Sequence, residues 1–124
     1  MLFRSPNIAE LTGSQLVASF TASKVLWVSE NEPENAKKIA AICLPHDWLS
    51  WKLTGSKDIN DLFTDRSDAS GTGYFNPKTN QYISEILEYI LKSDSQVVLP
   101  RIIKANEFCG KTASGIPKIG RAHV

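Results

Sequence analysis

The chain has 124 residues, 42% of them hydrophobic and 22% charged, with a formal net charge of +1. That length holds one domain at most, and the composition is that of an ordinary globular core, which argues against wholesale disorder. The near-neutral balance, without a basic run or an apolar stretch of membrane-spanning length, argues against a nucleic-acid partner and against a membrane role.

The two ends do not read like the rest. Residues 1–5 are MLFRS and residues 118–124 are KIGRAHV. GTG CTC TTC CGA TCT, with GTG as start codon, encodes the first. Its reverse complement, read from within a lysine codon, encodes Lys118 to Ala122. One DNA element in opposite orientations therefore accounts for both ends, as a sequencing-library adapter would. The natural segment is expected to be residues 6–117, cut from a longer gene, with 1–5 and 118–124 as tails. Setting Arg4 and Arg121 aside leaves 12 basic residues against 13 acidic ones, and His123 drops out of any metal or catalytic argument.

Residues 6–18 read as a connector with a turn at Gly13-Ser14. Thr21 or Ser23 can cap a helix running to Asn31, and Pro33 can start a short helix through Ile39. Residues 40–44 are short and apolar ahead of a proline, which favours a buried strand. A helix over 45–54 follows, with Pro45 at its first position and Gly55 just past its end. Trp48 and Trp51 are three apart on it, so a large buried face is expected, and Trp27, Trp48 and Trp51 are expected to pack in the core. Residues 56–63 are a polar loop. Residues 64–73 are dense in hydroxyl, carboxylate and glycine residues and predict capped turns or one helical turn, with Thr64 or Asp65 as the cap. Tyr74-Phe75 opens a strand into a turn over 76–80. Ile83, Ile86, Leu87, Ile90 and Leu91 then fall at i, i+3, i+4, i+7 and i+8, the clearest helix in the chain, with Lys92 at its end. Val97 to Leu99 is apolar, and residues 101–117 read as loop with room for one more strand. Short strands alternating with helices predict an α/β fold.

The polar residues allow several sites. Asp65 and Asp68 could form a paired-carboxylate site, but with no further carboxylate or histidine in view the favoured reading is that they cap turns and bond Ser67, Ser70 and Thr72. His46 and Asp47 are neighbours on a helix and point in different directions, which favours a surface or capping histidine over a catalytic pair. Gly110-Lys111-Thr112 lacks the glycine that a phosphate-binding loop needs at position 105, and Gly71 with Gly73 is too short for a dinucleotide fingerprint. Lys24 reads as a helix-surface lysine. Cys43 and Cys109, far apart and without CxxC spacing, are expected to be unpaired thiols in a reducing cytosol.

Three stretches carry more than composition. Residues 19–31 read SFTASKVLWVSEN, residues 44–55 LPHDWLSWKLTG and residues 64–74 TDRSDASGTGY. In that order they resemble the N-terminal domain of the FGGY family of carbohydrate kinases, with weaker likeness as far as Leu99. The first fits the family's first signature at Ser19, Thr21, Lys24, Val25, Trp27, Val28, Glu30 and Asn31. Within the family, SDASGT after LPHDWL is most similar to members that act on D-xylulose.

The resemblance implies a ribonuclease-H-like, actin-like ATPase fold whose opening strands lie outside this chain. It implies phosphoryl transfer from ATP, with Mg²⁺, to a primary hydroxyl of D-xylulose by a cytoplasmic enzyme, for which a homo-oligomer is compatible. Ribulose, gluconate or glycerol are the alternative substrates, and a non-catalytic interaction module is the alternative class. In related glycerol kinases an aromatic contacts substrate at the position matching Ser19. Here Ser19 is followed by Phe20, and both are expected near the sugar cleft. The family's phosphate-binding turn, its general-base aspartate in a Gly-Asp motif and most of its nucleotide site have no counterpart in these residues. The chain alone is therefore expected to be inactive, with no catalytic, nucleotide or metal residues of its own.

Overall fold

The computed structural model describes residues 6–93 and 96–117; the tails expected at 1–5 and 118–124, and His123 with them, lie outside the described residues. The expected connector holds a helix, α1 (Ile8–Thr12). The Asn7 side chain accepts the Glu10 N–H at 3.3 Å and Gly13 ends the helix at φ 78°. Those are start and stop signals that the sequence displays. Next come α2 (Thr21–Asn31) and the short α3 (Pro33–Ala36), which stops before Ile39. Neither Thr21 nor Ser23 caps α2. Phe20 takes the cap position without a side-chain bond, and the Ser23 hydroxyl donates to the Val17 carbonyl at 2.8 Å.

Helix α4 (Pro45–Thr54) has the expected bounds, and Gly55 closes it in the left-handed region at φ 76°. After a 3-10 turn over Ile59–Asp61, β1 (Phe63–Asp65) leads into α5 (Arg66–Ser70), with Asp65 as the cap. A hairpin of β2 (Phe75–Asn76) and β3 (Gln81–Tyr82) follows, then α6 (Ser84–Leu91) and β4 (Arg101–Ile103). Strands β1 and β4 are parallel, with Phe63 opposite Arg101 and Asp65 opposite Ile103. The strand expected over 40–44 is a single parallel bridge between Ala41 and Val98. The segment running into β4 thus pairs with two earlier pieces of chain, which makes a small α/β layer.

Helices α2 and α6 pack on each other, as their sequences require. Ile86 and Ile90 are fully buried on α6, against Ala22 and Val25 of α2, with Tyr74 and Ile42 in the same cluster. Each fully buried isoleucine contributes about 1.5–3 kcal/mol relative to exposure. The Tyr82 ring meets Tyr74 and Phe75 with centroids 6.0 and 5.8 Å away, and its hydroxyl donates to the Pro100 carbonyl at 2.7 Å.

The tryptophans correct the expected core. Only Trp51 is buried, its indole N–H donating to the Asp58 carbonyl at 2.8 Å. Trp27 is 56% exposed, Trp48 50% and Leu49 54%. The outer face of α4 stays half exposed, so spacing that promised burial delivers it to one tryptophan of three. Both cysteines are free thiols; burial, and after it the Asp47 carboxylate, pushes the Cys43 thiol up.

Candidate functional site

The start of α4 fixes the first group. Asp47 is 2% exposed because its carboxylate turns back to accept the Leu44 N–H at 2.9 Å, satisfying a free donor at the helix start. That leaves its neighbour His46 at the rim. His46 Nε2 lies 2.5 Å from Asp68 Oδ2 and 3.4 Å from Asp47 Oδ1. One sequence expectation fails here and another holds in part. Asp65 and Asp68 do have a histidine beside them; His46 is the surface histidine expected, its side chain 53% exposed, yet it meets Asp47 at its imidazole. Adjacent helical side chains diverge, but Asp47 curls towards the helix start, and α5 delivers Asp68 from a distance in sequence that no motif spacing encodes.

Strand β1 positions the second group. Asp65, at its end, accepts the Asp68 N–H at 2.9 Å as the cap of α5, in line with the favoured reading. That N–H holds the Asp65 carboxyl below the ordinary aspartate value, whereas partial burial and the adjacent Asp65 push Asp68 up. Asp65 takes the Ser67 N–H as well, but the Ser70 and Thr72 hydroxyls go elsewhere than to the carboxylates. Ser70 donates to the Arg66 carbonyl at 2.8 Å and Thr72 to the Ala69 carbonyl at 2.6 Å. They tighten α5 from within.

Gly73 positions the third group. The Ala22 N–H, unpaired within its own helix start, donates to the Thr72 carbonyl at 2.8 Å. Gly73 has φ +83°, and a Cβ there would sit 2.8 Å from Leu16 Cδ1, 3.1 Å from Ala22 Cβ and 3.2 Å from Phe20 Cδ2. Only glycine gives both that backbone and that approach. Phe20 is therefore half-buried against the end of SDASGT, while Ser19 stands exposed in the turn before α2. All three signature stretches converge on α5 and Gly73: the first through Phe20 and Ala22, the second through His46.

Other candidates stay apart. Lys24 is exposed on α2, and Gly110, Lys111 and Thr112 are exposed in irregular chain with no helix after them among the described residues. A phosphate cradle needs consecutive N–H groups at a helix start, so this segment does not fit ATP. The His46, Asp47 and Asp68 donors do not fit Mg²⁺ either. That ion demands an oxygen octahedron rich in water, whereas here an imidazole sits between the carboxylates. No helix among the described residues is long and apolar enough to cross a membrane.

Comparison with known proteins gives the family. The N-terminal domain of the FGGY family of carbohydrate kinases matches residues 2–120. A xylulose kinase from Streptomyces coelicolor is 41% identical over 107 residues, covering 86% of this chain and 21% of that protein. Among solved structures, a xylulose kinase from Bifidobacterium adolescentis superposes with a TM-score of 0.72 at 44% identity, over 77% of this chain and 22% of that one. A glycerol kinase from Plasmodium falciparum, with ADP, also gives 0.72, at 28% identity over 88% of this chain and 21% of that one. The chain thus spans about a fifth of the length of the relatives it matches, 21% in the Streptomyces coelicolor case.

Proposed function

Since the chain belongs to the FGGY family of carbohydrate kinases and carries part of that family's actin-like ATPase fold, we propose that its parent protein is a xylulose kinase. The reaction is transfer of the terminal phosphoryl group of ATP to a primary hydroxyl of D-xylulose, giving xylulose 5-phosphate. The observation that carries this reading is the SDASGT turn at the meeting of the other two signature stretches, in a chain 41% identical to a xylulose kinase. The role of this region is to shape one wall of the sugar cleft: Gly73 seats Phe20, and Phe20 sets the direction of exposed Ser19. ATP and Mg²⁺ supply and neutralise the transferred phosphate, and the residues that hold them, with the general base, belong to the parent beyond this chain. The parent works in the cytoplasm, with a homo-oligomer compatible. The 124 residues alone do not turn over substrate.

Residues 6–117 are the natural segment in this reading, and 1–5 and 118–124 are adapter-derived. Reading the parent gene across both junctions tests that; LFRS or IGRAHV in genomic DNA would overturn it.

A second reading has one observation in its favour: the glycerol kinase superposes as well as the xylulose kinase. ADP release by the full-length parent with D-xylulose, D-ribulose, gluconate and glycerol decides between them. The expected result is the highest kcat/KM with D-xylulose. A preference for any other of the four would replace the substrate and keep the chemistry. No turnover with any of them would remove the kinase assignment.

A further inference from the structure

We propose that His46, Asp47 and Asp68 form a binding site for a divalent ion of the zinc class, in a cavity that Thr64 also lines. This goes beyond the kinase reading and does not depend on it. One donor atom from each of the three residues lies within 4.8 Å of the others. They line a cavity of roughly 80 Å³ together with Thr64. Thr64 is 4% exposed, and its hydroxyl has no hydrogen-bond partner among the described residues. A buried hydroxyl left without a partner costs about 1–3 kcal/mol, and its presence on a residue that lines the same cavity as the three donors points to a ligand there.

The buried Asp47 carboxylate makes the same demand. Asp47 is almost wholly buried, yet among the described residues its partners are one backbone N–H and the His46 imidazole. Among the described ion pairs, neither Asp47 nor Asp68 meets a lysine or arginine. Buried charge is ordinarily paired or bound to metal. An imidazole with two carboxylates is a zinc donor set, whereas Mg²⁺ and Ca²⁺ take oxygen alone.

The geometry is close to what is needed. Tetrahedral bonds of about 2.0–2.2 Å place neighbouring donors about 3.3–3.6 Å apart. His46 Nε2 and Asp47 Oδ1 stand at 3.4 Å. Asp68 Oδ2, now 2.5 Å from Nε2, has to withdraw by about 1 Å, and Asp68 sits at the partly exposed rim. The Leu44 N–H holds Asp47 Oδ2 and so leaves Oδ1 turned to the ion, the kind of outer bond that orients a ligating carboxylate. Bound there, the ion would tie the start of α4 to α5.

The test titrates the chelator-stripped 124-residue chain with Zn²⁺ and, separately, with Co²⁺, whose visible spectrum reports coordination. The expected result is one equivalent bound, a tetrahedral Co²⁺ spectrum, a raised thermal midpoint, and no response to Mg²⁺. His46→Gln and Asp68→Asn each weaken binding by about tenfold or more while circular dichroism stays unchanged. Asp68 and His46 are at the surface, so either variant reports if the other fails to fold. Absence of Zn²⁺ binding, or equal binding in whichever variants fold, would overturn the site.

Discussion

Helices α4 and α6 both carry strong apolar residues, yet they end in opposite situations. The apolar face of α6 is covered: Ile86 and Ile90 are fully buried against α2. On α4 the groups that reach the interior are Trp51 and a carboxylate, Asp47, while Trp48, Leu49 and Leu53 face outward. Helical spacing says which residues share a face. It does not say whether anything stands opposite that face. The partner of α6 is α2 in the same 124 residues, whereas α4 packs its inner side on β1 and leaves Trp48, Leu49 and Leu53 exposed. An apolar patch of this kind marks a surface suited to further contacts.

Substitutions on each side sharpen that contrast. The largest expected effect is Ile90→Ala, which opens a cavity in the α2–α6 layer and costs about 2–5 kcal/mol in urea unfolding. Next is Gly73→Ala. The added methyl would meet Leu16 at 2.8 Å in a backbone region closed to alanine, for a loss of about 1–3 kcal/mol. Equal stability to wild type would mean that the junction is looser than the geometry shows.

Asp65→Ala removes the α5 cap and costs about 1 kcal/mol. Because the Asp65 carboxyl is lowered in the folded chain by the Asp68 N–H, its contribution is whole above the ordinary aspartate value. It fades as pH falls through the lower, folded value. Asp65→Asn caps without titrating, so its stability should fall less than that of wild type as acid is added. Parallel acid dependences would show that the cap does not titrate in this way. The smallest effect is expected for Leu49→Ala on the outer face of α4, within about 0.5 kcal/mol of wild type. A loss comparable to that of Ile90→Ala would erase the distinction between the two helices.

Much of this was legible from local chemistry. Five apolar residues at helical spacing announced α6, and Pro45 with Gly55 bracketed α4 to the residue. Helix α1 was written in Asn7, Glu10 and Gly13 but reads as a connector, because a five-residue helix has no room for an apolar period. Strands β1 and β4 are three residues each and pair across the whole α5–α6 segment, so nothing within either one signals the other. The site divides in the same way. The Asp65 cap is a local bond and was readable. The His46–Asp68 contact and the seating of Phe20 on Gly73 are tertiary, and residue spacing carries no trace of them.

Native-state hydrogen exchange on the 124-residue chain measures the contrast between α6 and α4 most directly, because local opening follows local burial. The expected result is slowest exchange at the α6 amides of Ile90 and Leu91, with the α4 amides of the outward-facing Trp48, Leu49 and Leu53 opening well before global unfolding. Equal protection of the two helices, or slower exchange in α4, would contradict the account.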